Sequence, residues 1–207
     1  MRHKVCGVLL AGGQSQRMGG GDKCLRQLGG KTILDHVIAR AKPQVNCLVL
    51  NANGDPARFA GFGLPSVGDS VHGFAGPLAG VLAGMEWAAK HASVCDLVAT
   101  FATDAPFLPL DLVARLEDGM IADGADISRA ASGGRAHPVF ALWPVSLREE
   151  LREAMLADEV RKVDVFTDRF KLTTVDWPAE PVDPFFNTNR PEDLAEAETL
   201  LAEHAAG

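Results

Sequence analysis

The sequence predicts an α/β fold in which helices flank a doubly wound, mostly parallel β-sheet. Apolar runs rich in β-formers alternate with helical patterns over residues 5–122, and this alternation is typical of parallel sheets. The early apolar runs lead directly into glycines or polar residues, which is how strands end at the ligand-binding edge of such a sheet. The length of 207 residues corresponds to one domain, which we expect to span 1–207.

The first part of the chain predicts a strand, a loop and a capped helix. Val5–Leu10 is an apolar run rich in β-formers, so we expect a buried strand. Ala11–Leu28 is rich in glycine and carries scattered basic residues, which indicates a loop. Thr32 and Asp35 have the spacing of a capping box, and this box predicts a helix over Ile33–Ala41.

The rest of the chain continues the alternation of strands and helices. Proline at the first position of a pattern, and Ser146 with Glu149 as a second capping box, indicate where helices begin. The expected elements are a strand at Asn46–Asn51, a short strand near Pro65–Val67, a helix at Leu78–Lys90, a strand at Asp96–Ala102, a helix from Pro109 to Ala122, strands at Ile127–Ala131 and Val139–Trp143, a helix at Ser146–Leu156, a strand at Leu172–Val175 and a helix at Pro191–Glu203.

Charge is distributed unevenly along the chain. The net charge is −7, so the overall field does not favour nucleic acid or an anionic membrane, and we expect neither as a partner. Residues 1–31 depart from this average because they are rich in glycine and hold six cations against one anion, Asp22. The cations are Arg2, Lys4, Arg17, Lys23, Arg26 and Lys31. A cationic, glycine-rich segment in an acidic protein predicts a local anion site.

The four cysteines argue against a zinc site and against a redox pair. They form no C-x-x-C pair, and none lies near a histidine at the spacing of a zinc site. We see no signal peptide, and the apolar run that begins at Val5 is too short to span a membrane. We therefore expect a cytoplasmic protein, and we expect it to be a monomer.

The loop after the first strand reads Leu10-Ala11-Gly12-Gly13-Gln14-Ser15-Gln16-Arg17-Met18-Gly19, and Asp22-Lys23 follows. Glycines allow backbone N–H groups to approach a phosphate, while Arg17 and Lys23 supply positive charge for a polyphosphate. Two common nucleotide loops do not fit. A P-loop ending in Gly30-Lys31-Thr32 needs glycine where Leu25 stands, and a G-x-G-x-x-G pattern from Gly19 needs glycine where Cys24 stands.

Polar residues also lie at the ends of three later strands. They are Asn51, Asp69 and Asp104. Because the carboxyl ends of parallel strands meet at one edge of the sheet, we expect these residues and the loop from Ala11 to form one site. An aspartate such as Asp104 suits Mg²⁺, which takes one or two carboxylates and completes its shell with water and phosphate oxygens.

These segments together resemble a known family. The first loop with Asp22-Lys23 is similar to that of nucleotidyltransferases with the glycosyltransferase-A-like fold. The whole set, over residues 5–196, resembles molybdenum cofactor guanylyltransferases, which implies a Rossmann-like sheet of the nucleotide-diphospho-sugar transferase type. The other matching segments are Asn51–Asn53, Gly68–Ser70, Gly76–Gly80, Thr103–Phe107, His137–Val139 and Asn187–Leu194.

The resemblance implies a reaction and its partners. The enzyme would transfer GMP from GTP to the terminal phosphate of molybdopterin and release pyrophosphate, with Mg²⁺ as cofactor. Such a transfer needs positioning and charge neutralisation but no covalent nucleophile. This agrees with a sequence in which no convincing Ser-His-Asp or Cys-His grouping is seen. Proteins that insert molybdenum or deliver the cofactor are further implied partners.

The resemblance also assigns roles to individual residues. Catalysis is assigned to Lys23, Arg17 and Asp104, nucleotide binding to Leu10, Ala11, Gly12, Gly13, Lys23, Asn51, Asp69 and Asp104, and metal binding to Asp104 and Asn189. In related enzymes a residue at this place often completes the metal site, sometimes as Asp. Here Asn187 and Asn189 are neutral amides, and Asn189 also suits a helix cap, so the second metal ligand stays open. His137 has two open interpretations, a molybdopterin contact and a packed or solvated histidine.

Alternative functions stay open at this point. A cytidylyltransferase for the same cofactor is similar but tends to carry Ala at the position of Gly12. A non-catalytic carrier of the nucleotide or cofactor would share the loop, although Lys23 and Asp104 favour catalysis. Sugar-phosphate nucleotidyltransferases are usually longer than this chain, which argues against them.

Overall fold

The computed structural model describes residues 2–12, 22–71, 73 and 76–205. Two short strands, Gln27–Leu28 and Lys31–Thr32, form a small antiparallel hairpin, and the other seven described strands form one sheet. The strands are β1 (Val5–Leu10), β2 (Gln27–Leu28), β3 (Lys31–Thr32), β4 (Cys47–Asn51), β5 (Ser66–Val67), β6 (Leu97–Ala102), β7 (Ile127–Ser132), β8 (Arg135–Pro144) and β9 (Leu172–Trp177).

The seven-stranded sheet has the order β5-β4-β1-β6-β8-β7-β9. Neighbouring strands are parallel except where β8 pairs with β6 and with β7. The predicted mostly parallel α/β fold is therefore confirmed. β1 lies between β4 and β6, so the strand order reverses beside it. The carboxyl ends of these three strands form the switch point at which such sheets bind ligands.

Helices cover both faces of the sheet and bury two apolar layers. Side chains of α1 (Ile33–Ala41) and α3 (Leu112–Asp123) pack with Leu9 and Phe101 on one face. Side chains of α2 (Pro77–His91), α4 (Arg148–Leu156) and α5 (Val163–Thr167) pack with Val8 and Trp143 on the other face. In the described part of the chain, no helix is long and apolar enough to cross a membrane. The helices are α1 (Ile33–Ala41), α2 (Pro77–His91), α3 (Leu112–Asp123), α4 (Arg148–Leu156), α5 (Val163–Thr167) and α6 (Pro191–Ala205).

The helix predicted from Pro109 begins later, at Leu112. The side chain of Gln44, which follows α1, sets this start. Its Nε2 donates to the Pro109 carbonyl at 2.8 Å, and its Oε1 accepts from the backbone N–H of Val113 at 3.0 Å. Gln44 thus satisfies an N–H group of the first turn of α3. A cap supplied by a distant side chain is invisible in the local sequence.

The second predicted capping box, Ser146 with Glu149, does not form, and that prediction is wrong. The helix begins at Arg148 without a side-chain cap. Val145 is buried, and its N–H donates to the Asp96 carbonyl at 2.9 Å. This bond holds the chain against the sheet in a 3-10 turn, so the position of Ser146 is decided by a tertiary contact and not by the local cap.

The capping box of α1 forms as predicted. Thr32 Oγ1 accepts from the Asp35 N–H at 3.1 Å, and Asp35 Oδ2 accepts from the Thr32 N–H at 2.9 Å. The Thr32 hydroxyl also donates to Asp35 Oδ2 at 2.6 Å, and this bond lowers the pKa of the carboxyl. The two side chains therefore satisfy two N–H groups that the first turn of the helix leaves free.

We expect Thr32→Ala to lower the free energy of unfolding by about 1 kcal/mol at neutral pH, measured by urea denaturation. The folded-state pKa of Asp35 lies below its unfolded value of 3.8. The contribution is therefore complete above that value and is lost as the pH falls through the folded-state pKa. Ser146→Ala is the matched control, with a change near zero. Equal losses in both variants would contradict the role of the box.

Candidate active site

An open cleft of about 930 Å³ lies at the carboxyl ends of β1, β4 and β6. This is the edge of the sheet at which the sequence predicts a site. Gly13 and Arg17, two further predicted site residues, lie outside the described residues. The predicted residues that line the cleft are Leu10, Ala11, Gly12, Lys23, Asn51, Asp69 and Asp104.

Asp104, Lys23 and Asn189 come together although they are far apart in the sequence. Lys23 Nζ donates to Asn189 Oδ1 at 3.0 Å. Burial raises the pKa of the Asp104 carboxyl, and the positive charge of Lys23 partly offsets this shift. The structure thus places a carboxylate and an ammonium group in the lining of the cleft, with an amide oxygen bound to the ammonium group. This donor set is suited to phosphates and a hard cation.

The segment before α6 is held next to Asp104 by hydrogen bonds to the backbone carbonyl of that residue. The N–H and the hydroxyl of Thr188 both donate to the Asp104 carbonyl, at 2.9 and 3.0 Å. The Asn189 N–H donates to the carboxylate of Asp193 at 2.8 Å. Asp193 therefore caps α6, and the Asn189 side chain is directed to Lys23. The helix-cap interpretation of the Asn189 side chain is not what the structure shows.

Asp69 joins the ends of β4 and β5. Asn51 Nδ2 donates to one carboxylate oxygen at 2.9 Å, and Asn53 Nδ2 donates to the other at 2.6 Å. The Asp69 N–H in turn donates to Asn53 Oδ1 at 2.9 Å. Each carboxylate oxygen has a second lone pair, so this fixed group is able to accept hydrogen bonds from a base or a ribose.

The turn after β1 has part of its backbone engaged within the protein. The Thr103 hydroxyl donates to the Leu10 carbonyl at 3.1 Å, and the Ala11 N–H donates to the Asn51 carbonyl at 2.9 Å. A Cβ atom added to Gly12 would meet nothing within 4 Å among the described residues. The open part of this turn is therefore at Gly12, where a ligand has room to approach the backbone.

Gly80 of α2 shapes the site because it lacks a side chain. A Cβ atom at Gly80 would lie 2.3 Å from Asn51 Oδ1 and 2.7 Å from Leu10 Cδ2. Such distances are impossible without movement, so the glycine is required for the close approach of α2 to the end of β4. The sequence presents this glycine as part of a motif, but its contact depends on where α2 crosses the sheet.

An ion pair joins Asp22, the neighbour of Lys23, to Arg58 in the lining of the cleft. Arg58 Nη1 lies 2.5 Å from Asp22 Oδ2, and Nη2 donates to the Asn53 carbonyl at 2.5 Å. A third bond runs from Arg58 Nε to the Asp55 carbonyl at 3.0 Å. Arg58 thus ties the residue before Lys23 to the segment after β4. Nothing in the spacing of the sequence indicates this pairing.

The donor set fits a magnesium ion that has few protein ligands. Across the ranges that the structure describes, no three His, Cys, Asp or Glu side chains are grouped to hold a metal, and Mg²⁺ does not require such a group. Asp104 supplies a carboxylate, and Asn187 Oδ1 is buried without a hydrogen-bond partner in the described structure. Burial raises the pKa of the Cys24 thiol in the lining of the cleft to about 11, so this thiol is protonated at neutral pH.

His137 is not among the residues that line the cleft. It is almost fully buried, its Nε2 lies 2.7 Å from Ser132 Oγ, and its ring stacks on Phe185 with centroids 4.6 Å apart. Burial lowers the pKa of the imidazole. Of the two interpretations left open by the sequence, the packed histidine describes its position.

The sequence matches a protein-family model over most of its length. Residues 7–170 match the model of the MobA-like NTP transferase domain. A molybdenum cofactor guanylyltransferase from Bradyrhizobium sp. (strain ORS 278) is 58% identical over 198 residues, which cover 96% of this chain and 93% of the relative. The protein of the same name from Rhodopseudomonas palustris (strain BisB5) is 58% identical over 193 residues, covering 93% and 92%.

Solved structures share the fold. Molybdopterin-guanine dinucleotide biosynthesis protein A from Archaeoglobus fulgidus superposes with a TM-score of 0.73 at 22% identity, covering 96% of this chain and 99% of that one. CMP:2-keto-3-deoxy-manno-octonic acid synthetase complexed with CTP superposes with a TM-score of 0.74 at 15% identity, covering 97% and 99%. These likenesses agree with a fold of the nucleotide-diphospho-sugar transferase type. On its sequence match and its close relatives, the chain belongs to the MobA-like NTP transferase family of nucleotidyltransferases, together with the molybdenum cofactor guanylyltransferases.

Proposed function

We propose that the protein transfers GMP from GTP to the terminal phosphate of molybdopterin and releases pyrophosphate. The observation that carries the proposal is the convergence of Lys23, Asp104 and Asn189 at the carboxyl ends of the parallel strands. It occurs in a chain that is 58% identical to a molybdenum cofactor guanylyltransferase over 96% of its length.

The chemistry requires two anions to meet. An oxygen of the acceptor's terminal phosphate attacks the α-phosphorus of GTP, and the bond to the β-phosphate oxygen breaks, so that pyrophosphate leaves with the electron pair. The work of the protein is to position the two substrates and to neutralise charge. Lys23 provides an ammonium group for the phosphates, and Arg17 with the backbone of Gly13 would hold the same triphosphate.

The nucleoside end of GTP would lie on the β1 and β4 side of the cleft. Among the described residues nothing lies within 4 Å of where a Cβ atom of Gly12 would be, so the base and ribose would approach the backbone there. Asn51 and Asp69 form a fixed amide–carboxylate pair beside this space. Together with Leu10 and Ala11 they are our candidates for recognition of guanine and ribose.

Mg²⁺ is the proposed cofactor, with Asp104 as its carboxylate ligand and Asn189 as a second oxygen donor. When bound, the ion would neutralise phosphate charge. Asp104 is held at the end of β6 by the two bonds from Thr188 to its carbonyl. These bonds engage the backbone carbonyl of Asp104 and not its side chain.

We expect Gly80→Ala to displace the Asn51 amide and to weaken GTP binding about tenfold, measured by calorimetry, because the added methyl overlaps Asn51 Oδ1. Gly84→Ala is the control in the same helix. Its Cβ would lie 2.4 Å from Val8 Cγ2 in the core, so it strains the packing without reaching the site. Equal weakening in both variants would show that general distortion of α2 causes the loss.

The function is tested by mixing the purified full chain with Mg²⁺, molybdopterin and either GTP or CTP. We expect pyrophosphate release and a guanine dinucleotide product with GTP, detected by mass spectrometry. Turnover with CTP and not with GTP would replace the assignment by a cytidylyltransferase. GTP binding without pyrophosphate release would indicate a carrier.

The same proposal extends to the organisation of the protein. We propose that residues 1–207 act as one catalytic domain, as a monomer in the cytoplasm. Molybdopterin would be received from, and the product passed to, proteins that insert molybdenum or deliver the cofactor.

A further inference from the structure

A cluster of Ser132, His137 and Asp183 lies where β7 ends and β8 begins, and Asp183 is its half-buried member. Ser132 is 2% exposed and His137 is 9% exposed. His137 Nε2 lies 2.7 Å from Ser132 Oγ, and the Ser132 hydroxyl donates to Asp183 Oδ1 at 2.8 Å. The same carboxylate oxygen accepts from the Phe185 N–H at 2.9 Å. We call these three side chains the positioning cluster.

The direction of the hydrogen bonds follows from the number of protons. A carboxylate only accepts, so the single hydroxyl proton of Ser132 goes to Asp183. His137 must then donate its Nε2–H to Ser132 Oγ, which fixes the tautomer of the neutral ring. The hydrogen bonds run from His137 to Ser132 and from Ser132 to Asp183, so the histidine does not deprotonate the serine. This grouping, which is absent from the spacing of the sequence, does not have the connectivity of a nucleophilic triad.

The positioning cluster holds one end of the segment formed by residues 183–189. Phe185 of this segment is buried, its ring stacks on His137, and its N–H is bound by Asp183. At the other end of the segment, Thr188 donates twice to the Asp104 carbonyl, and Asn189 accepts from Lys23. The segment thus connects a rigid buried anchor at β7 and β8 with the catalytic side of the cleft.

The position of the segment bears on the acceptor and not on the nucleoside. The proposed nucleoside contacts, Gly12, Asn51 and Asp69, lie at the β1 and β4 side of the sheet, whereas the segment contacts His137 of β8 and Asp104, which follows β6. An in-line displacement requires the acceptor and the pyrophosphate on opposite sides of the α-phosphorus. Asn187, whose side-chain oxygen is buried without a hydrogen-bond partner in the described structure, belongs to the same segment.

We propose that Ser132, His137 and Asp183 are positioning residues that set the 183–189 segment for binding of the phosphate-bearing pterin acceptor and make no contact of their own with GTP. The hydroxyl of Ser132 is the central link, because it joins the histidine under Phe185 to the carboxylate that binds the Phe185 N–H. The kinetic part of this inference rests on the proposed transferase function, while its structural part does not.

The chain offers a matched control for the central link. Ser128 is on the same strand, is fully buried, and its hydroxyl has no hydrogen-bond partner among the residues described. Ser132→Ala and Ser128→Ala therefore make the same chemical change, but only the first removes hydrogen bonds. Two substitutions of His137 separate the effect of its ring stacking on Phe185 from the effect of its hydrogen bond to Ser132. His137→Phe keeps an aromatic ring on Phe185 without the donor, while His137→Gln retains an N–H near the position of Nε2.

The first measurement is hydrogen–deuterium exchange of the peptide that contains residues 183–189. In Ser132→Ala and His137→Phe we expect this peptide to exchange about tenfold faster than in the wild type. Ser128→Ala and His137→Gln should stay within about twofold. Exchange at the wild-type rate in Ser132→Ala would overturn the positioning role whether or not the chain is a transferase.

The second measurement is steady-state kinetics with molybdopterin and GTP, together with direct binding of GTP. We expect Ser132→Ala to raise the KM for the acceptor about tenfold, with the dissociation constant of GTP within about twofold of the wild type. An equal loss for both substrates would overturn the assignment to the acceptor side. A wild-type protein without turnover would refute the proposed function, and the exchange result would still decide the role of the positioning cluster.

Discussion

Asp104→Ala is expected to lower kcat about 10³-fold, because the cleft loses the carboxylate that we assign to the metal. Pyrophosphate release under saturating GTP and acceptor measures the effect. The fold should be retained, since Thr188 binds the backbone carbonyl of Asp104 and not its side chain. Turnover close to that of the wild type would remove Asp104 from the catalytic machinery.

The free energy of unfolding of Asp104→Ala provides a control, because we expect it to stay equal or to rise while kcat falls. Burial raises the pKa of Asp104, so the ionised carboxylate costs the folded protein free energy at neutral pH. We therefore expect the variant to unfold at the same denaturant concentration as the wild type or at a higher one. Asp104→Asn, which keeps an oxygen ligand but loses the charge, should fall between the wild type and alanine in kcat. If Asp104→Ala were destabilised, its lower kcat would not test the metal role. The kcat of Asp104→Asn would then be the test of that role.

Lys23→Ala is expected to lower kcat about 10²-fold and to raise the KM for GTP, because one ammonium group both binds the triphosphate and offsets charge in the transfer. Lys23→Arg keeps the positive charge with a different shape and should recover part of the loss. Initial rates measured over a range of GTP concentrations separate the two parameters.

The matched control for Lys23 is another cation of the same basic segment. Lys31 is exposed and is absent from the lining of the cleft. Lys31→Ala should therefore leave kcat and KM within about twofold of the wild type, because exposed charges interact weakly through water. Similar losses in Lys23→Ala and Lys31→Ala would mean that the net charge of residues 1–31 matters, and that no specific contact of Lys23 does.

The elements that the sequence predicts correctly are those in which local pattern and tertiary packing agree. The apolar run of β1, the capping box of Thr32 and Asp35, and the apolar strand before Asp104 all appear near the predicted positions. The predictions at Pro109 and Ser146 are wrong by a few positions, because Gln44 caps α3 and the sheet holds Val145. In both cases a distant group provides what a local pattern was expected to provide.

The residues of the site likewise divide into those that the sequence predicts and those that it does not. Asn51, Asp69 and Asp104 are predictable because each residue lies at the end of a parallel strand, and the geometry of the sheet places all such ends at one edge. Gly80 and Arg58 are not predictable, since their roles depend on a helix crossing and on an ion pair between separate segments. Their chemistry is ordinary in the sequence and becomes specific only through proximity.

Residue order alone was enough to indicate the parallel sheet and the nucleotidyltransferase family, since periodicity and short motifs are local properties. The packed chain was needed for the contacts of Lys23 with Asn189, for the fit of Asn51 against Gly80, and for the cluster around Ser132. These contacts join residues far apart in sequence. Their distances follow from how helices cross the sheet and how segments return over its edge, which no local pattern encodes.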